Sequence, residues 1–383
     1  MKLNNPNYKH VCRIIVFTFF VFLQNGYSQQ SSEDIIKLLT KKQVITEREA
    51  DSLRKEKVQQ KQFFPITDRY FTISGYTQIR YQNFQMQGQP DGMDIRRAKL
   101  DFTSPLTEKF NYRLLLDFAG TPKIMDAYCG YTLNDHWKFT CGQFIIPLSF
   151  ENNLADRKLE MIDRSQVVEA FCARSNDVIG NQNGRDIGIQ LSGQFVKINS
   201  RYLLDYFVGG FNGAGINAMD NNNAKDLAAR IVIHPLQGWS FGGSYYDGYD
   251  KWIGNTTNQV RYRYGLETTF SWKNFLLRGE YIAGQDGTLM DQNKNMYGLK
   301  RNGYYLLAGW YVFPKKLQVL FRYDFFDPNN HILNSANIYY VPGVNYFFND
   351  WVKIQMNYSY RQEQDNNKEV NNDIFSMQIQ MQF

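Results

Sequence analysis

The last nine residues of the chain, Phe375 to Phe383, alternate apolar and polar side chains without a break and end on an aromatic residue. Successive side chains of a β-strand point to opposite faces, so one face of this strand is apolar throughout and the other is polar. A strand with lipid on one side and water on the other has this pattern. The carboxyl terminus therefore predicts one strand of a transmembrane β-barrel.

The amino terminus predicts export from the cytoplasm. Three basic residues precede an apolar run over 14–23, and small side chains follow it up to Ser28, which together indicate a cleaved signal peptide over residues 1–28. The run is about half the roughly 20 residues that a membrane-spanning helix needs. Removing the three basic residues lowers the formal net charge from +6 to +3, so no nucleic acid is expected as a partner.

Composition favours a barrel over an ordinary secreted globule. Aromatic residues make up 16% of the chain, yet the mean hydropathy is −0.49, as expected when half of every strand faces water. Cys12 leaves with the signal peptide, and the three remaining cysteines exclude a fully paired disulfide framework. The four histidines lie far apart in sequence, without metal-ligand spacing, so neither a metal nor a cofactor is predicted.

Residues 29–69 differ from the chain that follows. Apolar residues between Ile35 and Leu53 are mixed with many charges, and Thr46 followed by Glu49 predicts a capping box at the start of a helix. One interpretation is a solvated linker with partial helicity. The other is a short periplasmic helical or coiled-coil element that mediates self-association.

From residue 70 to 383 the alternation predicts an all-β fold, a 16-stranded antiparallel transmembrane barrel. The predicted strands are 70–82, 93–104, 110–119, 124–133, 137–145, 185–195, 201–211, 227–235, 239–249, 259–271, 275–285, 302–313, 317–327, 337–348, 351–364 and 372–383. Short connections alternate with long ones, including 146–184, 212–226, 286–301 and 365–371. An even strand count with short periplasmic turns places both termini in the periplasm of a bacterium with an outer membrane, whose lipid surrounds the barrel.

Sixteen strands leave an aqueous lumen rather than a side-chain core. Twelve basic residues are predicted to line it as an anion path: Arg80, Arg97, Lys99, Arg113, Arg201, Arg230, Arg261, Arg263, Arg278, Arg322, Lys353 and Arg361. Six acidic residues share the same faces: Asp101, Asp117, Asp205, Glu267, Glu280 and Asp324. The excess of basic groups indicates a preference for anions, whereas pairing of the two signs would suit a general pore. Strands 302–313 and 337–348 show no clear phase, and Pro342 predicts a bulge or distorted pairing.

Several segments together resemble the porin O and P family, often called phosphate-selective porins. They include Asp94 to Leu100 with its paired arginines, Tyr112 to Tyr131, Gly142 to Glu151, and Phe211 to Gly215 with the descending strand through Arg230. The resemblance implies a homotrimeric channel for passive diffusion of phosphate or related anions, with a third loop that folds inward and narrows it. Carried over by position, Arg97 and Lys99, with Arg96 at the end of the strand, match the family's basic second strand.

Alternatives remain open. Luminal tyrosines such as Tyr76, Tyr128 and Tyr246 would suit a channel for oligosaccharides or peptides, although tyrosines at membrane depth more often form a girdle at the lipid headgroups. A structural or adhesive barrel is a second alternative. In the sequence no histidine has an evident nucleophile beside it, so the chain is predicted not to be an enzyme.

The hairpin formed by strands 124–133 and 137–145 provides a test of register. If Leu133 pairs with Trp137 across a three-residue turn, Cys129 lies directly opposite Cys141 on the outer wall. Two free thiols are favoured over a disulfide, because directly opposed Cβ atoms are usually slightly too far apart for one. The carboxy-terminal strand with its last aromatic also resembles the signal recognised by the barrel-assembly machinery, which is therefore an expected partner during biogenesis.

Overall fold

The structure, a computed structural model, describes residues 40–42, 46, 47, 49, 63–66, 69–250, 258–290, 296–364 and 370–383. The chain divides into two compact units, Met1–Phe63 and Phe64–Phe383. The predicted signal peptide and most of the predicted helical segment lie outside the described residues. No helix in the described part of the chain is both long and apolar enough to span a membrane.

The predicted capping box is confirmed in the first unit. The backbone N–H of Thr46 donates to Oε2 of Glu49 at 2.8 Å, and the backbone N–H of Glu49 donates to the Thr46 hydroxyl at 3.3 Å. The hydrogen bond that the Glu49 carboxylate accepts from Thr46 favours the charged form and so lowers the pKa of Glu49. Glu47 and Glu49 are helical, so a helix begins just after Thr46, as the sequence predicts.

The second unit is a closed antiparallel barrel of sixteen strands, which confirms the predicted fold. A short strand, β1 (Phe63–Ile66), precedes them. The barrel strands are β2 (Arg69–Phe84), β3 (Gly92–Pro105), β4 (Phe110–Asp117), β5 (Lys123–Asn134), β6 (Trp137–Ile145), β7 (Arg185–Ile198), β8 (Arg201–Phe211), β9 (Asp226–Leu236), β10 (Trp239–Asp250), β11 (Gln259–Trp272), β12 (Phe275–Met290), β13 (Met296–Phe313), β14 (Leu317–Asp327), β15 (Asn337–Phe347), β16 (Val352–Glu363) and β17 (Ile374–Gln382). Each corresponds to one predicted strand. The largest difference is that β12 and β13 extend into the predicted loop 286–301, most of which is therefore strand.

The barrel closes where its last strand pairs with its first. β17 runs antiparallel to β2 from the pair Ile374–Phe84 to the pair Gln382–Tyr76. Beyond the strand, Phe383 exchanges two backbone hydrogen bonds with Gly75, at 3.0 and 3.1 Å. A Cβ atom on Gly75 would come within 2.8 Å of the Phe383 ring, so only glycine leaves room for the aromatic terminus at this closure.

The connections define two rims. At the rim where β2 begins and β17 ends, here called the proximal rim, the connections between strands contain two to four residues. At the opposite, distal rim they contain at least five, and the connection between β6 and β7 spans 146–184. The predicted alternation of short and long connections is therefore confirmed, and both ends of the barrel lie at the same rim.

The cysteine register is confirmed, although the turn beside it differs from the prediction. Cys129 pairs with Cys141, and both side chains are exposed and free. Trp137 pairs with Asn134 rather than with Leu133, which becomes the extra residue of a bulge. The Asn134 side chain accepts hydrogen bonds from the backbone N–H groups of His136 and Trp137, which tightens the connection to two residues.

The two strands without a clear phase are apolar on both faces. In β13, Tyr305 and Leu307 are buried inside the barrel, whereas Leu306 on the other face is half exposed. In β15, Val341 faces inward, and Pro342 is exposed on the outer wall. Pairing with β16 is interrupted at these two residues, yet the register is the same on either side, so the predicted distortion occurs without a bulge.

Candidate functional site

The segment 146–184, here called the luminal loop, enters the barrel and contacts strands all around its inner wall. Its residues form hydrogen bonds with side chains of nine consecutive strands, β11 to β17 followed by β2 and β3. Two short helices, α1 (Phe150–Asn153) and α2 (Gln166–Phe171), shape it. The expectation of an inward-folded third loop is therefore met.

Buried carboxylates of the wall hold the amino-terminal ends of both helices. Glu280 accepts the backbone N–H groups of Phe150 and Glu151 at 2.9 and 2.8 Å, and the hydroxyl of Tyr305 at 2.7 Å. Asp324 accepts the N–H of Gln166 at 3.1 Å. The first N–H groups of a helix have no partner within it, so each carboxylate satisfies donors and offsets the positive end of the helix dipole.

We expect Glu280→Gln to loosen the luminal loop without preventing barrel closure. The amide retains one acceptor oxygen, but it loses the negative charge that holds two N–H groups, at a cost of roughly 1–3 kcal/mol. Current through single channels should become noisier, and limited proteolysis should cleave within 150–177. Asp205→Asn is the matched control, because Asp205 contacts the wall residues His234 and Gln194. Equal noise in both variants would contradict the anchoring role.

Part of the lumen contains a hydrophobic core, which corrects the prediction of a purely aqueous interior. Loop residues pack there against the inner faces of β12 to β15. Members of this cluster include Val167, Val168, Phe171, Ile282, Tyr305, Leu307, Leu320, Phe326 and Val341. This cluster fills one part of the lumen, and the charged residues lie on the other side of the loop, here called the charged side.

A β-bulge brings both paired arginines to the charged side. Gln78 pairs with Arg97 and Ile79 pairs with Ile95, which leaves Arg96 as the extra residue. Arg96 contacts the carboxylate of Asp163, and the Arg97 Nε lies 3.3 Å from Asp156 Oδ2. Strict alternation would point Arg96 into lipid, so reasoning from strand phase alone omitted it from the lining.

The twelve predicted lining residues divide by the groups that they contact. Arg80, Arg97, Lys99, Arg261 and Arg278 bind carboxylates of the luminal loop. Arg113, Arg230, Arg263 and Arg322 bind carboxylates of the wall. Among the described residues, the side chains of Arg201, Lys353 and Arg361 form no ion pair with a carboxylate: those of Arg201 and Lys353 donate to carbonyl oxygens, and that of Arg361 lies over the ring of Tyr339.

Acidic residues that the strand phases missed offset much of the predicted cationic excess. They are Asp94, Asp126, Asp186, Asp226 and Asp286, and four of them pair with basic residues of the predicted set. Asp126 adjoins a bulge at Met125, where alternation breaks. Positive charge is therefore concentrated in particular cavities instead of being spread along the wall.

The most cationic of these cavities, here called the distal vestibule, has a volume of about 650 Å³. Eight basic residues line it: Arg80, Arg96, Arg97, Lys123, Arg164, Arg174, Arg322 and Arg361. Three acidic residues line it as well: Asp117, Asp163 and Glu169. Arginine donates several hydrogen bonds in a fixed planar geometry, so this lining suits carboxylate, sulfate or phosphate groups.

Two further cavities continue toward the proximal rim. A chamber of about 120 Å³, here called the inner chamber, is lined by Tyr76, Lys99, Arg113, Asp156 and Arg185 among others. The proximal vestibule, of about 450 Å³, follows, and Arg157 lines both cavities. The charged side of the lumen is thus a series of three cavities with basic residues in each.

A family model described as phosphate-selective porin O and P matches residues 71–246 and 239–383. The two matched segments together cover more than half of the chain. The chain belongs to the porin O and P family. It is a porin-type channel of the bacterial outer membrane, and both the family and the barrel indicate a channel rather than an enzyme.

Solved porins of low sequence identity share the fold. An anion-selective porin from Comamonas acidovorans superposes with a TM-score of 0.62 at 12% identity, covering 82% of this chain and 100% of that one. OmpT of Vibrio cholerae gives 0.60 at 10% identity, over 84% and 100%. The channel DcaP of Acinetobacter baumannii gives 0.57 at 14% identity, over 84% and 99%. A search of curated protein sequences found no match.

The three tyrosines that the sequence could not assign to either the lumen or the aromatic girdle lie inside the porin. Tyr76 is 9% exposed and its hydroxyl is 3.3 Å from Asp156, and Tyr246 is 2% exposed beneath Arg261. Tyr128 packs against the apolar cluster. The expectation that such tyrosines belong to the girdle is wrong for these three, because each hydroxyl or ring has polar or apolar partners within the barrel.

The expectation that no histidine has a nucleophile beside it is wrong for one histidine of the porin, which lies between a serine and an aspartate. His234 Nδ1 is 2.7 Å from the Ser240 hydroxyl, and its Nε2 is 3.0 Å from Asp205. Neither Ser240 nor His234 lines any of the three luminal cavities. Within the described residues, no group of three or more histidine, cysteine or acidic side chains is placed to hold a metal ion.

Proposed function

We propose that this porin admits small anions by passive diffusion through the three cavities on the charged side of its luminal loop. The observation that carries the proposal is the distal vestibule, where eight basic residues face three acidic ones. Such an excess in a narrow, low-dielectric mouth raises the local concentration of anions and repels cations. The anion-selective Comamonas porin, which shares the fold, agrees with this proposal.

The proposal includes orientation and assembly. The distal rim faces the cell exterior and both termini lie in the periplasm, since porins have short periplasmic turns and long outer loops. Three copies assemble as a homotrimer, a state for which the trimeric form of OmpT, superposing with a TM-score of 0.58, is the precedent. The physiological solutes are phosphate or related anions, guided by the arginines of the vestibule.

The reversal potential of the purified protein in a planar bilayer, under a KCl gradient, tests the preference for anions. The reversal potential of wild type should indicate a preference for anions. Arg361→Glu should move that potential toward cations, because the Arg361 side chain lines the vestibule and forms no ion pair with a carboxylate among the described residues. One charge reversal in a narrow mouth should change the permeability ratio about threefold or more.

Lys197→Glu is the matched control. It makes the same charge change near the proximal rim, on a side chain whose Nζ lies over the Tyr202 ring. Its reversal potential should equal that of wild type. A cation-selective wild type in both chloride and phosphate would overturn the proposed function.

A channel for oligosaccharides is the second candidate, and the proximal vestibule favours it. Tyr311, Phe347 and Trp351 line that cavity, where aromatic faces could stack on sugar rings. Added maltooligosaccharides would then block the current in a length-dependent manner. Unchanged current with such sugars, together with anion selectivity, supports the first candidate.

A further inference from the structure

The carboxylate of Asp156 occupies the centre of a cationic cluster on the charged side of the lumen. Its Oδ2 accepts from Lys99 Nζ at 2.5 Å, from the Tyr76 hydroxyl at 3.3 Å, and lies 3.3 Å from Arg97 Nε. Its Oδ1 accepts from Arg164 Nη1 at 2.5 Å. Four donors, three of them cations, therefore converge on a single side chain of the luminal loop.

These contacts keep the carboxylate charged although it is 9% exposed. Burial favours the neutral acid, but the positive charges of Arg97, Lys99 and Arg164 hold the pKa of Asp156 well below its usual range. Asp156 is thus a buried carboxylate surrounded by donors of the kind that bind anions.

The cluster also lies at the junction of two cavities. Arg97 and Arg164 line the distal vestibule, whereas Tyr76, Lys99 and Asp156 line the inner chamber. An anion that passes from one cavity to the other must use the donors that Asp156 now occupies. The neighbouring Asp163 is different, because it is 47% exposed and contacts Arg80 and Arg96 within the vestibule.

We propose that Asp156 is a tethered counter-anion which a permeating anion must displace, and that it thereby selects multivalent oxyanions over chloride. This inference rests on the proposed conduction of anions. A tethered carboxylate competes at a high effective concentration, on the order of millimolar or above. A divalent oxyanion brings two charges and several acceptor oxygens for the four donors, whereas chloride brings one charge and cannot satisfy them together.

Bi-ionic reversal potentials of the full-length protein at pH 7, with sulfate on one side and chloride on the other, test the inference. Asp156→Asn removes the competing charge, so its chloride conductance should rise about threefold or more. The sulfate-to-chloride permeability ratio should fall by a similar factor. Sulfate is the probe because it stays divalent throughout the experiment.

Asp205→Asn is the matched control, since it removes one negative charge from the barrel wall at a residue that lines none of the three cavities. Its permeability ratio should stay close to that of wild type. Equal changes in both variants would show that only the net charge of the lumen matters, and the inference would be wrong.

Wild type supplies a test that does not depend on folding of a variant. Millimolar sulfate added to both sides in KCl should lower the chloride current, because sulfate occupies the donors around Asp156. An unchanged chloride current together with a sulfate-to-chloride permeability ratio near unity overturns the inference. Failure of this inference can be distinguished from failure of the proposed function, because the proposed function fails only if wild type prefers cations.

Discussion

Deletion of Phe383 will lower the amount of folded porin in the outer membrane by about tenfold or more, while export continues. The terminal residue contributes two backbone hydrogen bonds to Gly75 at the closure, each worth roughly 1 kcal/mol. Its ring also covers Gly75, where an added Cβ atom would collide with the ring. The closure therefore loses its last pair of hydrogen bonds and the aromatic cover together.

The measurement is an immunoblot of outer-membrane and periplasmic fractions, with and without heating to separate folded from unfolded protein. Met381→Ala is the matched control, because it truncates an exposed side chain near the carboxyl end of β17 but leaves the terminal residue in place. Gly75→Leu tests the packing between Gly75 and Phe383 without changing the carboxy-terminal residue itself. The larger side chain would overpack this contact, at a cost of about 1–3 kcal/mol. Normal folded levels after deletion of Phe383 would contradict the importance of the aromatic terminus.

Removal of residues 150–178, with a short glycine and serine bridge in their place, will raise single-channel conductance about fivefold and strengthen the preference for anions. Conductance rises because the loop packs across the lumen and water fills the space that it leaves. Selectivity shifts because the deleted segment carries six acidic and four basic residues. Wall residues such as Ile282 and Leu307 become exposed, so the barrel should also unfold at a lower temperature.

Shortening of the loop 212–225 by residues 217–223 is the comparison variant, since that loop does not contribute to the hydrophobic core. Its conductance should be close to that of wild type. An unchanged conductance after removal of the luminal loop would mean that the solute path lies elsewhere.

The strands were predictable because one face of each strand contacts lipid and the other carries charged or amide side chains. Apolar and polar residues therefore alternate along the sequence with a period of two. That period predicted all sixteen barrel strands, and even the opposition of Cys129 and Cys141. It gave no clear phase for β13 and β15, where the inner face carries Leu307 and Val341. Both faces of these strands are apolar because the luminal loop packs against them, and a pattern of alternation cannot show a contact with a distant loop.

The lining was less predictable than the strands for two physical reasons. The bulge at Arg96 shifts the phase by one residue, and no residue type in Asp94 to Leu100 marks its position. The partners of the basic residues are also non-local, as for Arg278 with Glu160 of the loop. A count of charges on strand faces therefore overestimated the free positive charge.

Two consecutive residues of the luminal loop bear on the order in which the barrel forms. Asp156 contacts Tyr76 of β2, 80 residues away, and the carbonyl of Arg157 accepts from Gln380 of β17, 223 residues away. The direct contact between these edge strands, Gln78 with Gln380, spans 302 residues. Closing a long chain segment costs more conformational entropy than closing a short one. A luminal loop that docks first on β2 and then on β17 would therefore divide the closure between these two strands into two shorter steps. The segment that enters the lumen thus also bridges the first and last strands of the barrel.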